Sequence, residues 1–237
     1  VTPAAVEIVG VSKDYRGLRP LRIERLELAA GTRVALVGLD EPAAEVLVNL
    51  VTGAVLPDTG AVRLFGRETS GIADSADWLA TVDRFGIVST RAVLLDALSV
   101  TQNLAVPFTL DIEPPPEAIR ARAQALACEA GLPPASWDRA VGALDDEGRM
   151  RVRLARAIAL DPSVLLLEHA SAGVARSRVA GFAADIRRIA IRRCAAVLAA
   201  TGDIAFAEAL AGRVLTHEPA TGRLKERRPW FGHFGRR

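Results

Sequence analysis

The segment from residue 33 to 55, RVALVGLDEPAAEVLVNLVTGAV, limits the fold more than any other in the chain. It begins with an apolar run, Val34 to Val37, which reads as a buried strand, and leaves it sharply at Gly38. A helical pattern follows from about Pro42 and places Val46, Leu47, Leu50 and Val51 on one face. Strand, glycine and helix N-terminus in succession are the parts from which a chain builds an anion cradle.

The chemistry between those parts is missing. A phosphate loop reads G-x-x-x-x-G-K-[ST], with glycines for backbone approach, a lysine for the phosphates and a hydroxyl for Mg²⁺. Laid on Gly38, the second glycine falls on Ala43, the lysine on Ala44 and the hydroxyl on Glu45, while Asp40 and Glu41 add carboxylates to the turn. The bland reading of those acids is N-capping and a favourable interaction with the helix dipole.

The chain's 237 residues allow one large domain or a domain with a subdomain, and an apolar half can supply a core without metals or disulfides. A net charge of +2 from mixed signs does not suit a general nucleic-acid binder. Cys128 and Cys194 are far apart with no C-x-x-C, and are expected to be reduced, buried thiols. No leader-like opening and no bilayer-length apolar run is visible, so a membrane role is expected to come through a partner.

In chain order, strands are expected at 6–11, 21–28, 33–37, 61–64 and 85–89, with a short helix at 76–82 capped by Ser75. Residues 91–160 turn helical: 100–106 capped by Ser99, 117–130 stopped at Gly131, 135–144 and 148–160. The apolar strand 164–167 runs into Glu168, followed by a helix at 174–191, a strand at 195–200, a helix at 204–211 and a final strand at 213–216. This alternation points to an open α/β sheet whose strand ends carry the ligand chemistry.

The order of elements resembles the ATP-binding subunits of ABC transporters as far as about residue 225. VSKDY at 11–15 is similar to the loop with an adenine-stacking aromatic, Tyr15. RVALVG and LVNLVTGAVLPDTGAVRLFGR resemble the flanks of the phosphate loop, and RVRLARAIALDPSVLLLEHA at 151–170 resembles the helix after the signature motif entering the Walker B strand. The resemblance implies a P-loop NTPase-like core (1–225) with an N-terminal antiparallel β part and a helical subdomain at about 91–160. A basic aromatic tail, 226–237, follows. It also implies ATP and Mg²⁺ as ligands, a homo- or heterodimer with another such subunit, and a membrane permease as partner at the cytoplasmic face.

Carried over residue by residue, the family's ATP-site positions are Tyr15, Gly38, Ala43, Ala44 and Glu45, of which Tyr15 and Gly38 are retained. The Walker B acid falls on Glu168, the general base on His169 and the switch histidine on Gly202. The glutamine that meets metal and permease falls on Thr90, with Thr90 and the Ser99 helix as the expected permease contact. The signature falls on Leu144–Asp145–Asp146–Glu147–Gly148, which would turn carboxylates towards a partner's γ-phosphate. One lost charge-assisted bond costs about 1.5–3 kcal/mol. One carboxylate at about 4 Å from a phosphate oxygen adds about 4 kcal/mol at an effective dielectric near 20. Together they remove roughly four decades of affinity.

The expected function is therefore an ATP-binding-type subunit without ATPase activity, a scaffold or regulator of a permease. The alternatives are a working or weak ATPase with displaced residues, and a small-molecule binding module on the same fold. Glu168 also reads as a structural pair at a strand end, and Tyr15 as a packing residue. The tail from Arg223, basic with Trp230, Phe231 and Phe234, reads either as a solvated end or as a segment for anionic lipid.

Overall fold

The computed structural model describes residues 3–227 and consists of two sheets with helices on either side of the larger one. Strands β1 (Val6–Lys13), β2 (Leu21–Leu28), β4 (Thr59–Leu64) and β5 (Arg67–Glu68) form a four-stranded antiparallel sheet in the order β2-β1-β4-β5. Strands β3 (Arg33–Val37), β6 (Phe85–Ser89), β7 (Val164–Glu168), β8 (Ala196–Thr201), β9 (Arg213–Glu218) and β10 (Arg223–Glu226) form the second, ordered β10-β9-β3-β8-β7-β6. Five of these six run parallel and β10 closes one edge as a hairpin with β9.

The apolar runs are continuous because the parallel strands are covered on both faces. In β3, Ala35 and Val37 face one core while Val34 and Leu36 face the other; in β7 Leu165 and Leu167 are split from Val164 and Leu166 in the same way. One core packs helix α1 (Glu41–Val51) and the antiparallel sheet against the parallel one. The other packs the helical segment and the later helices: α3 (Val100–Ala105), α4 (Glu117–Glu129), α5 (Asp146–Ala157), α6 (Val179–Arg192) and α7 (Ile204–Leu210). Helix α2 (Ser75–Val82) lies before β6. Among the described residues no helix is long and apolar enough to cross a membrane.

Several expectations need correction. Residues 135–144 are not a helix but two short 3-10 turns, Pro134–Ser136 and Val141–Ala143. The carbonyls of Trp137 and Arg139 are taken by the backbone N–H groups of Thr101 and Val100, so they stitch this stretch to the start of α3 instead of to their own turn. Helix α6 starts at Val179, later than 174, after a turn held by Val174 N–H to the Ser171 carbonyl. The cap of α2 is Asp74, whose carboxylate accepts from Asp77 N–H, and Ser75 is the first helical residue. The strand at 213–218 is not the last: Arg223, expected to open the tail, begins β10, where its guanidinium pairs with Glu24 of β2 at 3.2 Å. The rest of the tail, from residue 228, lies outside the described residues. Cys128 and Cys194 are both exposed, not buried.

Candidate functional site

The parallel register brings the expected site residues to one edge of the sheet. Val37 pairs with Thr201, Ser89 with Glu168, and Glu168 with Ala200, so Gly38, Thr90, His169 and Gly202 all leave the sheet at the carboxyl ends of neighbouring strands. This is where open α/β sheets place their ligands.

At the head of α1 the cradle is taken up by its own cap. Gly38 has φ 95°, a conformation that favours glycine, and an added Cβ would lie 3.1 Å from the His217 carbonyl. Asp40 caps the helix: its carboxylate accepts from Ala43 N–H at 2.9 Å, and its carbonyl from Ala44 N–H at 2.9 Å. Pro42 has no N–H to offer. Of the acids of this turn, Asp40 is the helix cap, while Glu45 pairs with an arginine. Ala43 and Ala44 are buried against the core, with Ala44 fully so.

Beside this turn lies a cleft of about 640 Å³ lined by Tyr15, Arg16, Leu39, Asp40, Ala43 and His217. Burial, with Asp40 nearby as the smaller cause, pushes the Tyr15 phenol above its ordinary pKa, so it stays neutral. Tyr15 also packs its ring on the core, as the bland reading has it. His217 donates from Nε2 to the Arg22 carbonyl at 2.8 Å, and its Nδ1 is buried without a partner.

The central feature is a residue that the sequence reading did not single out. Arg91 directs its fork at Glu168, with Nε to Oε1 at 2.8 Å and Nη2 to Oε2 at 2.5 Å, while its Nη1 reaches Glu45 Oε1 at 2.9 Å. Arg91 N–H is in turn seated on the Ser89 hydroxyl at 3.1 Å. Glu168 is buried, with 5% of its side chain exposed, against 43% for Arg91 and 44% for Glu45. The Glu168 hydrogen bond, ahead of the opposing effect of burial, raises the Arg91 pKa above its ordinary value. Glu45 and Glu168, which the resemblance aligns with the phosphate-loop hydroxyl and the Walker B acid, thus share one guanidinium. The readable signal was an arginine two residues past β6, beside a strand ending on an acid.

Of the remaining positions, His169, Thr90 and Ser99 are held by hydrogen bonds, whereas Gly202 stands open. His169 sits at φ 46° with its N–H on the Ala200 carbonyl, and its Nε2 is buried without a hydrogen bond. Gly202 is exposed with nothing within 4 Å of an added Cβ, and the next residue, Asp203, caps α7. Thr90 is exposed and its carbonyl accepts from Arg153 at 3.2 Å. Ser99 spends its hydroxyl on the Gln102 N–H, and the Gln102 amide answers to Ser99 N–H, a complete capping box.

The acids of the signature position do not all face outward, contrary to expectation. Asp145 caps α5 through Gly148 N–H at 2.8 Å, and Asp146 pairs with Arg149 at 2.7 Å. Glu147 is buried beside Arg151 at 2.9 Å, with Arg178 2.8 Å from its other oxygen, an ion pair off the hydrogen-bonding direction. Its carboxylate is neutralised within its own chain.

A parallel sheet with a strand–turn–helix head, an antiparallel β sheet and an inserted helical part defines the fold of a nucleotide-binding cassette. Solved structures share it at 94% coverage of this chain and TM-score 0.78: the cbiO1 subunit of Clostridium perfringens, at 18% identity over 87% of that chain, and a dimeric bacterial ABC transporter cassette, at 20% identity over 99% of that chain. No family model matches the chain. Among curated proteins it is 30% identical over 202 residues to the lipoprotein-releasing system ATP-binding protein LolD of Pseudomonas syringae pv. tomato, covering 85% of this chain and 87% of the relative. It is also 33% identical over 165 residues to the sulfate/thiosulfate import ATP-binding protein CysA of Thermosynechococcus vestitus, covering 69% of this chain and 46% of the relative. The chain belongs to the family of ABC transporter ATP-binding subunits. It spans about half the length of the first curated relatives it matches, 46% and 48%.

Proposed function

We propose that this chain is an ABC ATP-binding-type subunit that does not hydrolyse ATP and serves as a scaffold or regulatory partner of a membrane permease, peripheral at the cytoplasmic face. The observation that carries the reading is the fork of Arg91 on Glu168 and Glu45. Both oxygens of Glu168 and one of Glu45 are held by the guanidinium, so a divalent ion there would compete with a covalently tethered cation. At the helix head, the Asp40 cap consumes the Ala43 N–H that would face a phosphate, and no lysine stands at Ala44. MgATP does not fit these residues. His169 has no γ-phosphate to act on and no hydrogen-bonded partner on Nε2.

Thr90 and the Ser99 helix are the proposed permease contact, as in the family pattern; the exposed Val93 and Leu95 beside them supply apolar surface. Relatives named for lipoprotein release make a hydrophobic cargo the first to test. Titration calorimetry of the purified chain with millimolar MgATP tests the reading: no saturable heat is expected, and saturable binding with turnover overturns it. That outcome would establish the second reading, a working ATPase, which the retained Tyr15 and Gly38 and the 640 Å³ cleft favour.

A further inference from the structure

Arg91 lies in a short strap between β6 and the helical segment, and this strap is gripped from both sides. Towards the core, the Arg91 side chain binds Glu45 on α1 and Glu168 at the end of β7. Towards the helical part, the strap's carbonyls are held by α5: Arg153 donates to Ala92 at 3.0 Å and to Thr90 at 3.2 Å, and Arg156 donates to Val93 at 2.6 Å. Next along the chain, the buried Asn103 of α3 takes Leu95 N–H at 2.9 Å and donates to the Leu95 carbonyl at 3.0 Å. The strap therefore has side-chain partners on α1, β7, α3 and α5.

A planar fork suits this task better than a metal ion would. Its bonds are directional, and it reaches a bidentate carboxylate on one side and a second acid on the other. Because the cation belongs to the strap, the strap cannot leave the site without stranding the buried Glu168 carboxylate. A dissociable ligand would let the two sides part when it left; a tethered one does not.

We propose that Arg91 is a built-in cation that clamps the helical segment to the phosphate-loop helix and the β7 end, so that their relative position is set by the chain itself and not by nucleotide or divalent metal. This rests on the proposed function in one respect, that the Glu45–Glu168 position is not a metal site in the native chain. The clamp makes the strap a fixed joint. A permease bound to the strap would then meet a surface of one shape.

Hydrogen–deuterium exchange of the full chain tests it, following the peptide over residues 90–98 and the peptides of α5. In the native chain these are expected to exchange slowly and identically with and without millimolar MgATP or Mn²⁺. In Arg91→Gln they are expected to exchange about tenfold faster, as local opening costs less. The same variant, with its two carboxylates freed, is expected to acquire saturable Mn²⁺ binding that Arg91→Gln/Glu45→Gln loses again. Should Arg91→Gln fold poorly, Glu45→Gln severs only the exposed arm of the clamp and is expected to speed exchange of the strap and α1 together. Unchanged exchange in Arg91→Gln and Glu45→Gln overturns the clamp. So does Mn²⁺ binding by the native chain equal to that of Arg91→Gln. Saturable MgATP binding with turnover by the native chain, without Mn²⁺ binding and with the strap's exchange unaltered, would overturn the proposed function and leave the clamp standing.

Discussion

At the scale of single residues, burial decides what each charge does. Glu168 is the most enclosed carboxylate of the strand-end group, and Arg91 is its counter-ion. Removing one partner of a buried pair costs about 3–5 kcal/mol, and the lower end applies because Arg91 itself is 43% exposed. Arg91→Ala is expected to melt about 6–12 °C below the native chain in a calorimetric scan. Arg91→Ala/Glu168→Gln should recover much of that loss, since it removes the stranded charge. The combined substitution Ala43→Gly, Ala44→Lys and Glu45→Ser is expected to raise nucleotide affinity, and to raise it further with Arg91→Gln added, as read by fluorescent ATP binding.

A partly buried acid gives a pH dependence. Glu129 on α4 is held below the ordinary carboxylate pKa, first by its hydrogen bond to Arg193, and it pairs with Arg192 at 2.7 Å and with Arg193 at 2.6 Å. A lowered folded pKa adds stability that is present above the ordinary value of about 4.3 and lost as pH falls through the lower folded value. The melting temperature of the native chain should therefore exceed that of Glu129→Gln at neutral pH, with the gap closing in acid. An unchanged gap at low pH would show that the Glu129 charge does not matter.

At the scale of elements, caps and close approaches place the pieces. Helix α3 is only six residues long and begins in a capping box, so Ser99→Ala is expected to cost about 1 kcal/mol, or about 2–4 °C. Gly86 in β6 lets α5 lie directly on the strand: an added Cβ would stand 2.2 Å from the Ala157 carbonyl. Gly86→Ala should cost about 1–3 kcal/mol or more, and loosen α5 in hydrogen exchange. Periodicity made α1, α4 and the parallel strands readable to within a residue or two. It misread 135–144 because the backbone groups of that stretch are spent on α3, a partner distant in sequence. It started α6 too early because the turn after β7 is also apolar and small. The C-terminal hairpin was missed because β10, RLKE, has only Leu224 as an apolar side chain and takes its place from β9 and β2.

At the scale of the whole molecule, the two cores meet across one parallel sheet, and its carboxyl edge gathers residues far apart in the chain. If the proposed clamp sets the joint without nucleotide, MgATP is expected to change neither the sedimentation coefficient nor the self-association of the purified chain. A MgATP-dependent dimer would contradict that. The amino-acid sequence alone determined the open α/β alternation, because apolar spacing, glycine exits and strand–helix alternation are local signals that burial enforces, while the cassette architecture came from the resemblance to ABC ATP-binding subunits. It also determined that Ala44 and Glu45 stand where the resemblance expects a lysine and a hydroxyl, since that is a matter of residue type. Only the tertiary structure decided what the new acids do: Asp40 caps, Glu147 turns inward to Arg151 and Arg178, and Glu45 and Glu168 share Arg91. The physical reason is that a charge is defined by its neighbours in space, and Arg91 is 77 residues from Glu168 along the chain but 2.5 Å from it in the fold.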